Sequence, residues 1–206
     1  MEALSELQQD ILTEAFNMSM GQAAAALSEI VNEEIQLSVP ELHFLSRIKA
    51  AAMLGEESSH LTGVSQKFSG PFGGRALLLF PSESSLQLVR ILLQDSVPLD
   101  KMTEFEEESL NEIGNIILNS GIGSIANLFG QEILTEIPQF LQGASLEILN
   151  IASENTADED VVLFLRVDFS LSQREVKGYV VFLLDVRSVA SLRDHVDSYL
   201  RKNHLI

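Results

Sequence analysis

The tightest constraint on this chain is a pattern that it spells twice. "TEAFNMSMGQAAAALSEIVNEEIQLSVPEL", Thr13–Leu42, carries Glu14, Asn17 and Pro40, and "NEIGNIILNSGIGSIANLFGQEILTEIPQF", Asn111–Phe140, carries Glu112, Asn115 and Pro138. Each residue of the second set follows its mate by 98 positions (112 minus 14, 115 minus 17, 138 minus 40). Leu12/Leu110, Glu34/Glu132 and Ile35/Ile133 keep the same offset. A register held from Leu12 to Pro40 without a gap is the mark of duplication.

Two alike halves follow, over about 4–97 and 104–201. Each opens with a long helix, over roughly 4–31 and 104–129, with apolar residues at helical spacing such as Leu4, Leu7, Ile11 and Ala15. A strand comes next, "EEIQLSVPEL" or "QEILTEIPQF", with its proline near the end, where a missing N–H does least harm. The shorter amphipathic stretches "FLSRIKAAAML" and "SLEILNIASEN" lead to two strand pairs, "HLTGVSQKF" with "GRALLLF" and "DVVLFLRVDF" with "GYVVFLLD". Val161, Leu163, Leu165, Val167 and Phe169 alternate, which predicts one buried face. A helix closes each half, "SESSLQLVRILLQ" and "VRSVASLRDHVDSYLRK". Asp95–Thr103, "DSVPLDKMT", reads as the joint between the halves, and "ASENTADED" as a solvated loop. Single helices do not separate the strands as in a doubly wound sheet. The expectation is an α+β protein with mostly antiparallel pairing, residues 1–206 forming one domain with pseudo-twofold symmetry.

On a helix, residues three and four apart share a face. Asp10, Glu14, Asn17 and Gly21 form one stripe, continued by Ala24 and Ser28; Glu108, Glu112, Asn115 and Asn119 form the other. One Glu-x-x-Asn alone is what any amphipathic helix shows to solvent. Two copies, each with the same distant proline, need another reason, because Asn is a mediocre helix former. A carboxylate can pair with a partner's ammonium, and an amide, being donor and acceptor at once, can hold a water molecule.

Other chemistries find little support. The formal charge of −17, with 13 scattered basic residues, argues against nucleic acid and anionic membranes as partners. No apolar run is long enough to span a bilayer, and the acidic "MEALSELQQD" is unlike a signal peptide. Absence of Cys removes disulfides and thiolate chemistry, and these features together point to the cytoplasm. His43, His60, His195 and His204 lack zinc-ligand spacing. "EFEEES", Glu104–Ser109, reads as the acidic first turn of a helix. "SGPFGGR", Ser69–Arg75, reads as a hairpin turn, because no Gly-Lys-Ser/Thr ending follows its glycines. No Gly-x-Ser-x-Gly nucleophile elbow is present.

The motif resembles that of the CheC-type phosphatases of bacterial and archaeal chemotaxis, which have CheX and FliY as relatives and carry Asp/Ser-x3-Glu-x2-Asn-x22-Pro. Asp10, Glu14, Asn17 and Pro40 match all four positions, and Glu112, Asn115 and Pro138 match three, within "NEIGNI". Glu108 departs from Asp/Ser, and Ala15-Phe16 stand where the family has Ile-Gly. The resemblance spans essentially the whole chain. It implies hydrolysis of the phospho-aspartate of a CheY-type response regulator. In that scheme Asn17 or Asn115 orients the attacking water, and Glu14 or Glu112 grips the regulator's active-site lysine. Magnesium is then the regulator's, and this chain needs no cofactor of its own. The resemblance also allows a non-catalytic adaptor of the flagellar switch, or binding of a CheD-type deamidase.

Overall fold

A computed structural model describes residues 5–93, 102–153, 161–171, 174–184 and 186–204. Residues 94–101, most of the expected joint, and 154–160, most of the acidic loop, lie outside the described residues. The elements run α1 (Glu6–Val31), β1 (Ile35–Ser46), α2 (Arg47–Glu57), β2 (Leu61–Ser69), β3 (Gly74–Pro81) and α3 (Ser82–Leu92). They continue as α4 (Met102–Phe129), β4 (Leu134–Thr135), β5 (Gln139–Gly143), α5 (Ser145–Ala152), β6 (Val161–Leu171), β7 (Arg174–Leu184) and α6 (Val186–Lys202). The architecture is α+β, with one seven-stranded antiparallel sheet.

The strand order is β1-β6-β7-β3-β2-β4, with β5 also on β2. It is nearly palindromic when the halves are exchanged: β1 pairs with β6 of the other half, just as β5 pairs with β2, and β3 and β7 meet at the centre. The first strand of each half thus finds its hydrogen bonds in the other half. The helices repeat the exchange. Gln8 of α1 donates from Nε2 to Asp197 of α6 at 2.6 Å, while Ser85 of α3 donates to Glu106 of α4, the residue 98 positions after Gln8.

Both long helices stop at one register. Asn32 caps α1 with φ 54°, and Gly130, its mate at the 98-residue offset, ends α4 with φ 62°, the left-handed conformation that closes a helix. At the start of α1, Ser5 and Gln8 form a reciprocal capping box.

The main core lies between one face of the sheet and α1, α3, α4 and α6, with Phe16, Phe68, Phe80, Phe169 and Phe182 in its interior. A smaller core lies on the other face, under α2 and α5, where Ala50, Leu54, Ile148 and Leu149 meet Leu61, Leu79, Val162 and Phe164. The alternation expected in β6 therefore understates the burial. Leu163, Leu165, Val167 and Phe169 face the main core, but Val162 and Phe164 are buried too, because the α2/α5 pair covers the second face.

The strands that follow the long helices depart most from expectation. β1 continues to Ser46, so Pro40 sits within the strand and not near its end, at a register irregularity between Ser38 and Glu41. The strand tolerates it because β1 is an edge, paired among the described residues with β6 alone. Past the irregularity, Glu41 takes an ion pair at 2.7 Å from Arg166 of β6, which also meets Asp168 at 3.3 Å. Burial alone would lower the pKa of the Arg166 guanidinium, but Asp168 and Glu41 together raise it. In the second half the expected single strand is broken into β4 and β5, and Pro138 lies in the gap.

Candidate functional site

The amphipathic pattern of α1 turns Leu12, Phe16, Ala23 and Leu27 into the core and leaves Asp10, Glu14 and Gly21 exposed. Phe16 is fully buried, its ring centroid 5.5 Å from that of Phe182. Asn17 is half-buried, and its Oδ1 accepts a 2.9 Å hydrogen bond from the backbone N–H of Val39. The Ser28 hydroxyl accepts from Ile35 N–H at 2.8 Å and donates to the Ala24 carbonyl at 2.7 Å. Asn17 and Ser28 thus pin β1 to α1 at two points.

These bonds give the proline spacing a physical reason. A residue before proline is confined to extended backbone. Pro40 restricts Val39 in this way, and it is the Val39 N–H that meets Asn17.

The second site is built differently. α4 turns Leu110, Ile113, Ile117 and Leu118 inward and leaves Glu108, Glu112 and Asn115 exposed, with Asn119 half-buried. Gly114 sets the depth of the helix, since a Cβ there would come within 2.1 Å of Val64 Cγ2 on β2. Val39 is 3% exposed, but Ile137, its mate before the second proline, is 85% exposed. An open cleft of about 640 Å³ runs here, lined by Glu107, Glu108, Asn111, Glu112, Asn115, Ile137 and Pro138. The cleft wall is acidic on the helix side and apolar on the side of the broken strand.

Asn115 Oδ1 accepts a 2.8 Å hydrogen bond from Asn119 Nδ2. Asn119 Oδ1 in turn accepts from Gln66 Nε2 at 3.0 Å, and the same Nε2 donates to the Glu136 carbonyl at 2.8 Å. Gln66 is 1% exposed and sits on β2 between the stretches paired with β5 and β4. Its amide fills the hydrogen-bonding gap left by the break, beside a backbone bond from Glu136 N–H to the Lys67 carbonyl.

At both sites one acceptor position of the Asn carbonyl is occupied from within. A second lone pair and the amino group remain, and neither Asn amino group has a protein partner among the described residues. Glu14 and Glu112, three residues before each Asn, share its face of the helix. Asp10 and Glu108 are exposed one turn earlier. Asn119 is visible in the sequence as the end of a stripe. Val39, on the strand that follows α1, and Gln66, 53 positions before Asn119, are not; the position of Val39 before a proline is the only hint of its role.

Residues 7–43 match the model of the CheC-like family, a stretch that includes Glu14, Asn17 and Pro40. The chain is 22% identical over 195 residues to the CheY-P phosphatase CheC of Bacillus subtilis, covering 92% of this chain and 93% of that protein. Its fold is similar to the crystal structure of Thermotoga maritima FliY, with a TM-score of 0.73, 19% identity, and 98% and 99% of the two chains covered. It is also similar to a chain in the CheX-CheY-BeF3-Mg complex from Borrelia burgdorferi, with a TM-score of 0.50, 17% identity and coverage of 82% and 97%. These matches bear out the resemblance to the CheC-type family that the two motifs suggest.

Proposed function

We propose that this chain is a protein phosphatase that hydrolyses the phospho-aspartate of a CheY-type response regulator. The observation that carries the reading is the second site, where an exposed Glu and an exposed, internally oriented Asn line an open cleft. The similarity to a protein named as a CheY-P phosphatase, and to a chain solved in complex with CheY, supports the choice of substrate.

In this mechanism the regulator docks on α4 and its active-site lysine pairs with Glu112. Asn115 enters beside the acyl phosphate. Its free carbonyl lone pair accepts a hydrogen bond from the attacking water and turns the water's own lone pair toward phosphorus. A bond forms from the water oxygen to phosphorus while the acyl P–O bond breaks. The aspartate leaves as its carboxylate, and the water's proton leaves with inorganic phosphate. The regulator brings the magnesium as well as the phosphorylated carboxylate, and this chain needs no cofactor of its own. Such chemistry is mostly positioning of water, so a single amide suffices.

Glu14 and Asn17 form the same pair on α1, but Asn17 also holds β1 in place. We assign the larger share of turnover to Glu112 and Asn115. The reading places the chain in the cytoplasm with its substrate.

The test is the decay of a phosphorylated CheY-type regulator with wild type, Asn17→Ala, Asn115→Ala and the double variant. A double variant that decays the regulator like wild type rejects the Asn roles. The second reading is the non-catalytic adaptor of the switch apparatus, or docking site for a CheD-type deamidase, that the motif resemblance also allows. It predicts tight binding of a partner with no acceleration of dephosphorylation.

A further inference from the structure

We propose that Gln66 and Asn119 are positioning residues of the second site, acting through Asn115. The inference rests on the phosphatase reading above and adds to it the device that aims the amide.

An Asn on an exposed helix face can turn its side-chain amide freely, and its two ends, donor and acceptor, have opposite functions. To hold a water so that its oxygen lone pair faces phosphorus, the side chain must present its carbonyl to a water proton. In the first half the Val39 N–H fixes the carbonyl end of Asn17. That donor is a product of continuous β1. In the second half the equivalent strand is broken and Ile137 is turned to solvent, so Asn115 needs a donor from elsewhere.

Asn119 supplies it, one turn along the same helix. Asn119 could itself flip and offer its carbonyl instead. Gln66 prevents this: its Nε2 donates to Asn119 Oδ1, which leaves Nδ2 to face Asn115. Gln66 is in turn held by its bond to the Glu136 carbonyl, and it is buried in the sheet. The direction of every amide in the row is thus set from a fixed backbone carbonyl outward. Neither Gln66 nor Asn119 lines the cleft.

The experiment uses the full chain carrying Asn17→Ala, so that only the second site is read, and follows steady-state decay of a phosphorylated CheY-type regulator. Asn119→Leu keeps the volume and removes the donor; Gln66→Met removes the donor that orients Asn119. Each is expected to lower kcat about three- to tenfold with KM unchanged, as loss of one neutral hydrogen bond implies. Asn119→Gln, which keeps an amide, recovers part of the loss. With Asn17 restored, Asn115→Ala and Asn115→Ala/Asn119→Leu are expected to turn over alike, because the role of Asn119 passes through Asn115. Thermal melts accompany each variant, and Asn119→Leu, half-buried on a helix, keeps the test readable if Gln66→Met folds poorly.

If Asn115→Ala lowers kcat but Asn119→Leu does not, or if the two effects add, the positioning role is wrong and the phosphatase reading stands. If Asn115→Ala leaves kcat unchanged, or if Asn17→Ala alone abolishes turnover, the second site does no catalysis and the positioning role falls with the larger share assigned to Asn115; the phosphatase reading falls if wild type does not speed the decay at all.

Discussion

Replacing Asn115 by Ala removes one side-chain amide from an exposed helix face and puts a better helix former in its place, so the fold has no reason to suffer. In the proposed mechanism the lost contact is one hydrogen bond to a water polarised by an acyl phosphate. Such a bond contributes about 1.5–3 kcal/mol, and about 1.4 kcal/mol is a factor of ten, so turnover at that site should slow roughly 12- to 140-fold. The measured loss is smaller, because two sites working in parallel add their rates. If both contributed equally, Asn115→Ala would cost only twofold. Asn115 is exposed in an open cleft, whereas Asn17 is half-buried and engaged in holding β1. The expected result is therefore a fall of more than twofold for Asn115→Ala, less than twofold for Asn17→Ala, and decay at the regulator's intrinsic rate for the double variant. The assay is single-turnover loss of phosphate from the regulator with the phosphatase in excess. A larger loss from Asn17→Ala than from Asn115→Ala refutes the assignment of the larger share, and a fully active double variant refutes the role of the amides.

Glu112→Gln should raise KM about tenfold or more while kcat at saturation stays within about twofold, since in the proposed mechanism the carboxylate grips the partner and does not touch the water; steady-state kinetics separate the two. The acidic wall of Glu107, Glu108 and Glu112 should make docking weaken severalfold between about 50 and 500 mM salt, read as the association rate of the regulator. Gly114→Ala should destabilise the protein by about 1–3 kcal/mol, because the new Cβ would meet Val64 Cγ2 at 2.1 Å and either α4 or the stiff valine must move. A thermal melt reads this at about 2–4 °C per kcal/mol for a chain of this size.

The helices and the duplication were legible because both are local or periodic: the 98-residue register survives in the paired caps Asn32 and Gly130. The long motif helices were legible to within two residues, as was the β2–β3 hairpin around "SGPFGGR". The second buried face of β6 was not, since period-two alternation says nothing of a helix pair lying across the sheet. Nor was the course of the strands after each long helix. "VPELHFLS" and "IPQFLQG" both read as strand followed by other structure, yet β1 runs through its proline while the second half breaks at its own. The difference lies in partners. β1 has β6 along its length on both sides of the irregularity, whereas β4 and β5 share β2 with a gap that Gln66 fills. Pairing of that kind is decided by residues about 70 to 130 positions away, and no window around the proline contains them.

That difference bears on what the two amides are for. If Asn17 served only to pin β1, its counterpart would have nothing to do in the second half, where no Val39-like N–H meets it among the described residues. An unneeded Asn on an exposed helix face would be free to turn and would cost helix stability relative to Ala. Instead Asn115 has its carbonyl held by Asn119, which is held by Gln66, which is anchored on the Glu136 backbone. Two unrelated donors, one from a strand and one from a side-chain row, converge on the same atom of the same residue type. What the two sites share is therefore the orientation of an amide beside a carboxylate, not a strand contact. An orientation kept by different means is better explained by a visitor that reads it than by the needs of the fold.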